Sequence, residues 1–340
     1  MKAKLFMMVG ISGSGKSYVA ELYKTLKNAT IFSSDAIRKE IYGDENIQDN
    51  PEKVFNILHK RIKNNLQNGN NSIYDATNLS MKRRKAFLES LKNINCEKIC
   101  IIVATPFEKC VKQDLNRSRT VGEKVIKRQR EQFQCPYFYE GWDQIIISNP
   151  NSEDILYLDN LVQELRKISH DNPHHDYTIG KHMLAAEEYC VQRAVFAQNR
   201  ALDKDVTDED INFYNKERDN WLLCANVAKY HDIGKKATKI FQNAKGEVTD
   251  IAHYYGHQNV SSYEIISHMG GGIVNIPLNK TYEQYDFIQR WLVTAMLAGW
   301  HMEPFFRPKD SKSWKKFSNV IGEDFADLIL RIHKADLNSH

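Results

Sequence analysis

The sequence of 340 residues predicts an α/β domain with a parallel sheet, followed by an all-α domain. Three observations lead to this prediction. A glycine-rich loop, Gly10–Ser17, follows a short apolar run and precedes a helical pattern. Almost every long segment after residue 173 has helical periodicity, and eleven of the twelve histidines lie after residue 169. Because a single core seldom serves more than about 250 to 300 residues, we expect two domains, at 1–168 and 169–340.

The composition is that of a globular protein without membrane-spanning segments. No apolar run approaches the roughly 20 residues needed to cross a bilayer. The six cysteines are scattered without a Cys-x-x-Cys pair, which favours a reducing, cytoplasmic location over a disulfide framework. Residues 1–150 carry 25 Lys+Arg against 16 Asp+Glu, whereas residues 151–340 carry 22 against 27. The basic first half is compatible with a nucleic-acid partner, and equally with a surface that surrounds bound phosphates.

The glycine-rich loop predicts a site for a nucleoside triphosphate. It stands between a predicted strand and a predicted helix, which is the context that a phosphate-binding loop requires. Glycines allow successive backbone N–H groups to surround the phosphates, a lysine reaches the outer phosphates, and a hydroxyl ligates magnesium. We therefore expect ATP and Mg²⁺ as cofactors, bound by Gly10, Ser12, Gly13, Ser14, Gly15, Lys16 and Ser17.

Charged residues follow the next predicted strands, at the edge of the sheet where open α/β folds bind ligands. Asp35 and Arg38 offer a carboxylate that accepts a hydroxyl proton and a guanidinium that holds a phosphate, although Asp35 alone would suggest a helix cap. Asp75 ends the third strand and is a candidate for orienting magnesium or the acceptor. Arg117 and Arg119 lie near a predicted helix end, where they either close over the triphosphate or remain surface charges.

Together these motifs resemble the P-loop polynucleotide 5′-kinases of RNA and DNA end repair. The resemblance covers about residues 1–148 and rests on the loop, Ser34-Asp35-x-x-Arg38, Asp75-x-Thr77-Asn78 and Arg117-x-Arg119, in that order. It implies that Asp35 is the general base on a 5′-hydroxyl, that Arg38 contacts the acceptor phosphate, and that Arg119, or else Arg117, contacts the donor. The same superfamily contains kinases of small molecules, so the acceptor stays open between RNA or DNA ends and a small molecule.

Histidine and aspartate residues in the second half suit a divalent metal. We predict helices at 179–199, 208–230, 259–268, 282–297, 314–321 and 324–336. His182 falls early in the first of them, the doublet His231-Asp232 follows the second, and Asp336 ends the last. Imidazole and carboxylate ligands suit ions such as Mn²⁺ and leave positions for water and phosphate. A metal-activated hydroxide is therefore the expected nucleophile.

These four residues resemble the signature of the HD phosphohydrolase superfamily, across residues 175–336. The resemblance implies a helical bundle that removes a phosphoryl group with the help of a metal. Lys235 either grips the phosphate or complements the helix dipole. His257 and His301 are added to the expected metal ligands, and His253 is a further candidate for a second metal or for phosphate contact. The expected structural histidines include His59, His170, His268 and His333.

The two halves together predict an enzyme that heals nucleic-acid ends. It would phosphorylate 5′-hydroxyl ends and remove a 3′-phosphate or 2′,3′-cyclic phosphate, as RNA repair requires. No Lys-x-Asp-Gly motif is found, so sealing would need a separate ligase. The alternatives are a small-molecule or nucleoside kinase fused to an HD nucleotidase, and a kinase regulated by an HD ligand-sensing module.

Overall fold

The chain forms two compact units. The computed structural model describes residues 2–339 except 118, 150–155, 174–175, 269–272 and 278–285. The first unit contains Met1–Glu153 and Gly270–Tyr285, and the second contains Asp154–Met269 and Asp286–His340. Among the described helices, none combines the length and the apolar character that crossing a membrane demands.

A six-stranded sheet forms the centre of the first unit. Its strands are β1 (Ala3–Val9), β2 (Ala29–Ser33), β3 (Asn71–Asp75), β4 (Cys96–Val103), β5 (Gln144–Ser148) and an edge strand at Ile273–Pro277, which is β8 in chain order. They are arranged in the order β2-β3-β1-β4-β5-β8. The first five are parallel, and β8 alone is antiparallel to its neighbour β5. β1 and β4 are near-continuous apolar runs, as expected for parallel strands covered on both faces.

Helices connect these strands and cover the sheet. They are α1 (Lys16–Lys27), α2 (Ser34–Tyr42), α3 (Pro51–Gln67), α4 (Met81–Glu89), α5 (Phe107–Leu115) and α6 (Glu123–Glu131). Buried side chains from β1, β4 and α1 pack together into the core of this unit. The predicted α/β fold with a parallel sheet is confirmed. Because all parallel strands end at one edge, the loops after β1, β2 and β3 meet there.

The second unit is mainly helical. Its helices are α7 (Leu156–Leu165), α8 (Ile179–Ala201), α9 (Asp208–Tyr230), α10 (Lys235–Thr238), α11 (His257–Ser267), α12 (Phe287–Trp300), α13 (Glu303–Phe306), α14 (Lys312–Ile321) and α15 (Glu323–Leu337). The long helices α8 and α9 bury small and apolar residues against each other, including Cys190, Ala194 and Cys224. Thr207 and Asp210 form a capping box that starts α9 at the predicted residue.

Two features of the second half differ from the sequence prediction. A two-stranded hairpin, β6 (Ile240–Gln242) and β7 (Val248–His253), interrupts the helices. The compact units also divide elsewhere than at 168/169, since α7 belongs to the second unit and Gly270–Tyr285 to the first. The division into a kinase and a hydrolase domain stays a prediction about function.

Candidate functional site

The loop between β1 and α1 has the close packing that its glycines permit. A Cβ on Gly10 would lie 2.3 Å from the carbonyl oxygen of Val103, and one on Gly13 would lie 2.2 Å from that of Cys110. Gly13 and Gly15 also have positive φ angles, of 77° and 94°, which side chains disfavour. The glycines thus let the loop adopt the tight conformation in which its backbone N–H groups can face a phosphate.

Polar groups of the loop are held by internal partners. Lys16 Nζ donates to the carbonyl of Ile11 at 2.6 Å, and Ser17 Oγ donates to Asp75 Oδ2 at 3.2 Å. Burial lowers the pKa of Lys16, and burial raises the pKa of Asp75 while the lysine opposes that shift. A cavity of about 240 Å³ opens beside these groups. Its lining comprises Gly13, Gly15, Lys16, Ser17, Tyr18, Gln113 and Arg117. The Ser17–Asp75 pair offers the oxygen ligands that magnesium prefers.

Gln129 on α6 also reaches this loop. Its Oε1 atom accepts a hydrogen bond from the backbone N–H of Ser12 at 2.6 Å. A side-chain oxygen thus lies against one of the loop amides that the sequence assigns to phosphate. The sequence offered no signal for this contact, because Gln129 is one polar residue within a highly charged helix.

Asp35 is bound by two arginines at the end of β2. Its Oδ1 accepts from Arg38 at 2.8 Å, and its Oδ2 accepts from Arg119 at 2.8 Å. Arg38 is buried, whereas the Asp35 side chain is 43% exposed and open to a ligand. The alternative role of Asp35 as the helix cap is wrong, because the Ser33 side chain is the N-cap that accepts the N–H of Asp35. The carboxylate is therefore available for chemistry.

The two arginines of the Arg117-x-Arg119 motif lie in different places. Arg117 lines the cavity beside the glycine-rich loop. Arg119 instead contacts Asp35 and donates from Nε to Asn46 Oδ1 at 2.8 Å, in the loop after α2. Buried Asp114 fixes the turn that follows by accepting the N–H groups of Val121 and Gly122, each at 2.9 Å. Arg117 thus lies beside the glycine-rich loop, and Arg119 lies beside Asp35.

In the second unit, the predicted metal ligands converge on one buried centre. His182 comes from α8, His231 and Asp232 follow α9, and Asp336 comes from α15. His182 Nε2 lies 2.9 Å from Asp336 Oδ1, and His231 Nε2 lies 3.3 Å from Asp232 Oδ2. Two groups of potential ligands have all their donor atoms within 4.8 Å of one another. They are His182, His231 and Asp336, and His231, Asp232 and His301.

His257 and His301 face the other oxygen of Asp232. Their Nε2 atoms lie 3.2 and 3.6 Å from Asp232 Oδ1, and 3.2 Å from each other. His253 is not brought into this cluster. It ends β7, and its ring stacks on Tyr255 at a centroid distance of 5.5 Å.

The imidazoles of this centre are oriented by backbone carbonyls. The Nδ1 atoms of His231, His257 and His301 each lie 2.7 Å from a carbonyl oxygen three residues earlier. Since a carbonyl only accepts, each Nδ1 carries a proton, and a ring whose Nε2 is unprotonated presents the lone pair of that atom to the centre. Two such lone pairs facing each other at 3.2 Å repel unless a cation lies near them. This arrangement fits a divalent metal.

Electrostatics at the centre also favour a cation. Burial acts to raise the pKa of Asp232 and of Asp336, yet His231 beside Asp232, and His182 together with His231 beside Asp336, hold the pKa of each carboxyl well below its ordinary range. Burial acts to lower the pKa of His231, but the two carboxylates raise it to about 10. Burial lowers the pKa of His301 to about 3. Two buried carboxylates thus draw positive charge into this site, and a metal ion would provide it.

Lys235 lies at the rim of the same centre. Gly234 makes the turn before it, where a Cβ would lie 2.2 Å from the carbonyl oxygen of His257. Lys235 Nζ is 2.6 Å from Asp232 Oδ2 and 3.3 Å from His170 Nε2. The contact between Lys235 and His170 was not predicted from the sequence, because His170 was expected to be a structural histidine.

Known proteins resemble the first half of the chain. Residues 5–136 match the family described as AAA domain. The chain is also 25% identical over 177 residues to the L-seryl-tRNA(Sec) kinase of Methanococcus maripaludis. That alignment covers 48% of this chain and 66% of the relative, which is less than two thirds of its length. The N-terminal half is thus a kinase-like P-loop domain.

Solved structures resemble the chain over similar shares of its length. One chain in the Pnkp1/Rnl/Hen1 RNA repair complex is 24% identical with a TM-score of 0.36, covering 39% of this chain and 44% of that chain. A gluconokinase from Sinorhizobium meliloti is 18% identical with a TM-score of 0.29, covering 39% of this chain and 75% of that one. The family match ends at residue 136, before the second unit begins.

Proposed function

We propose that the protein heals nucleic-acid ends, by phosphorylating 5′-hydroxyl groups and by removing 3′-phosphate or 2′,3′-cyclic phosphate groups. The observation that carries the proposal is the presence, in one chain, of two phosphate-directed sites with opposite chemistry. One pairs a phosphate-binding loop with a carboxylate held between two arginines. The other gathers imidazoles and carboxylates around a centre suited to a metal.

In the kinase step, the 5′-hydroxyl oxygen attacks the terminal phosphorus of ATP, and ADP leaves. Asp35 accepts the hydroxyl proton, since its carboxylate is exposed beside the loop. Lys16 and Arg117 neutralise the charge on the transferred phosphoryl group. Arg119, which contacts Asp35, then serves the acceptor together with Arg38. Of the two arginines that the resemblance left as candidates for the donor, this assignment chooses Arg117 and gives Arg119 to the acceptor.

The charge of the first half is compatible with a nucleic-acid acceptor. Residues 1–150 carry nine more basic than acidic side chains, which attract a polyanion. The similarity to a kinase named for seryl-tRNA also supports an acceptor hydroxyl that is carried on RNA. A separate ligase would seal the healed ends.

The second unit would bind its metal through His182, His231, Asp232 and Asp336, with His257 and His301 beside them. A divalent cation held by these residues would supply an activated water for attack on phosphorus. Lys235 holds a phosphate oxygen, and the buried setting of the ligands excludes bulk water from the phosphate ester.

Labelled ATP with a 5′-hydroxyl oligonucleotide, or with free nucleosides, tests the kinase step. We expect label on the oligonucleotide, and Lys16→Ala should abolish it because no other ammonium in the loop reaches the phosphates. Lys24→Ala, on the exposed face of α1, is the matched control. Label on nucleosides alone would contradict the proposal and favour the small-molecule kinase.

Phosphate release from a 3′-phosphorylated or cyclic-phosphate oligonucleotide with Mn²⁺ tests the second unit. Asp232→Ala should abolish release and leave 5′ labelling intact, whereas exposed Asp203→Ala should change neither. If Asp232→Ala instead alters only the rate of labelling, the unit is a ligand-sensing module. Lys16→Ala should leave phosphate release unchanged.

A further inference from the structure

His170 is buried beside the metal centre although it lies outside the predicted ligand set. It is 1% exposed, and its Nδ1 lies 2.8 Å from the carbonyl oxygen of Tyr177. Because that carbonyl only accepts, Nδ1 carries the proton and Nε2 of the neutral ring is an acceptor. The partner of Nε2 is Lys235 Nζ, at 3.3 Å. The tautomer that the backbone selects is thus the one that accepts from the lysine.

Lys235 is held on two sides by this arrangement. Its Nζ contacts Asp232 Oδ2 at 2.6 Å and His170 Nε2 at 3.3 Å, and it lies 5.4 Å from the centre of the Tyr254 ring. An ammonium has three N–H groups, and these two side chains take two of them in fixed directions. Because two N–H groups are engaged, the direction of the third is fixed as well. A lysine that binds a phosphate oxygen requires such a fixed N–H direction.

The backbone around His170 is fixed by several contacts. Lys239 Nζ donates to the carbonyl of Ser169 at 2.7 Å and pairs with Asp171 at 2.5 Å. The N–H of Ala252 on β7 donates to the carbonyl of Asp171 at 2.8 Å, and the Tyr254 hydroxyl donates to the carbonyl of His170 itself. Asp171 adopts a positive φ of 47°, which such contacts must stabilise. The β6–β7 hairpin therefore contributes to the placement of this imidazole.

We propose that His170 is a positioning residue that fixes Lys235 Nζ toward the phosphate of the substrate. The inference rests on the proposed hydrolase function of the second unit. Without the imidazole, Asp232 and the face of the Tyr254 ring remain as contacts of the ammonium, and of these Asp232 alone accepts a hydrogen bond. Nζ would then turn fully onto that carboxylate, and it would hold the phosphate less well.

Phosphate affinity measures this role without relying on turnover. Inorganic phosphate is titrated calorimetrically into the full chain loaded with Mn²⁺, after the bound metal of each variant has been quantified. We expect His170→Phe, which keeps a ring but removes the acceptor, to weaken phosphate binding about tenfold, as the loss of one hydrogen bond to a charged group does. His170→Gln should restore most of the affinity, because its amide oxygen can accept from Lys235.

A double-mutant cycle separates positioning from a general structural effect. In a Lys235→Ala background, adding His170→Phe should cause no further loss. His268→Gln, which replaces another buried histidine of this unit, should bind phosphate as the wild type does. The inference is overturned if His170→Phe binds like wild type, if its effect persists without Lys235, or if Lys235→Ala itself has no effect. If the wild-type protein binds no phosphate at all, the proposed hydrolase function fails together with the role of His170. If the wild type binds phosphate and His170→Phe binds it equally well, only the role of His170 fails.

Discussion

At the scale of single residues, Asp35 and the two arginines on its carboxylate determine how the kinase half would work. A carboxylate that accepts two charge-assisted hydrogen bonds is well oriented, and one lone pair on each of its oxygens is engaged. An acceptor hydroxyl can therefore use a remaining lone pair or take the place of one guanidinium. Arg119 is the candidate, because it approaches from a loop, whereas buried Arg38 lies one helical turn away from Asp35 on the same helix.

Replacing each arginine separately should affect different substrates. We expect Arg117→Ala to raise the KM for ATP about tenfold, because Arg117 lines the donor cavity and a lost charged contact costs about 1.5 kcal/mol. Arg119→Ala should raise the KM for the acceptor by a similar factor, with little effect on ATP. Steady-state kinetics with each substrate varied measures both, and exposed Arg128→Ala is the control. An equal rise in the KM for ATP in Arg117→Ala and in Arg119→Ala would contradict the assignment of Arg117 to the donor.

His59 is the single histidine within residues 1–153, and it gives the first unit a pH dependence of its own. The centroid of its ring lies 4.4 Å from that of Phe87, and its Nε2 lies 2.9 Å from Tyr74 Oη. Burial lowers its pKa to about 4. An unfolded histidine titrates near 6.5. Between these values the unfolded state binds a proton that the folded state does not, so stability falls as the pH falls from about 6.5 to 4.

His59→Phe should therefore flatten the loss of stability between pH 7 and pH 5. Phenylalanine keeps the contact with Phe87 and cannot be protonated, although it gives up the hydrogen bond to Tyr74. Thermal unfolding of the first unit at a series of pH values measures the slope. His268→Phe, in the other unit, should leave that slope unchanged, and an identical slope in both variants would refute the assignment.

At the scale of elements, close packing of α8 on the end of α7 positions His182, one of the proposed metal ligands. A Cβ on Gly180 would lie 2.5 Å from the backbone nitrogen of Arg166 and 2.6 Å from the carbonyl oxygen of Val162. Backbone atoms cannot rotate away from such a contact. Gly180→Ala should therefore shift α8 and the His182 that it carries, lowering stability by about 1 to 3 kcal/mol.

Phosphate release and Mn²⁺ affinity should fall in Gly180→Ala, while 5′ labelling persists. Gly299→Ala on α12 is the matched control, since its Cβ would meet only Ser262, at 3.5 Å, and alanine favours a helix interior. Calorimetry and metal titration of both variants check the prediction. Unchanged metal affinity in Gly180→Ala would show that α8 tolerates the shift.

The sequence was a good guide to elements with their own periodicity and to residues with distinctive chemistry. α9 spans the predicted residues, and His182, His231, Asp232 and Asp336, which were predicted as ligands from their residue types and their order along predicted helices, lie together in the structure. That they bind a metal stays a prediction. β8 was missed because its pairing with β5 connects segments more than a hundred residues apart. Gln129 was missed for a similar reason, since its contact with Ser12 spans 117 residues.

At the scale of the whole molecule, each unit should respond to its own ligand. A ligand that binds only the folded state stabilises it by about 2.7 kcal/mol at a hundred times its Kd. We expect ATP with Mg²⁺ to raise one unfolding transition and Mn²⁺ to raise the other in calorimetric scans. Asp232→Asn should lose the response to Mn²⁺ alone, and Lys16→Ala the response to ATP alone. A single transition raised equally by both ligands would contradict independent sites.

The edge strand β8 limits where the gene of this protein can be cut without damage to the first unit. Its segment, Gly270–Tyr285, belongs to the first unit although it lies in the chain between α11 and α12 of the second. A gene cut once near residue 153 would therefore separate β5 from its neighbour and leave an open sheet edge, which invites aggregation. Recombination at a single breakpoint could not exchange the second unit cleanly. The two units are consequently expected to be inherited together rather than shuffled as independent modules.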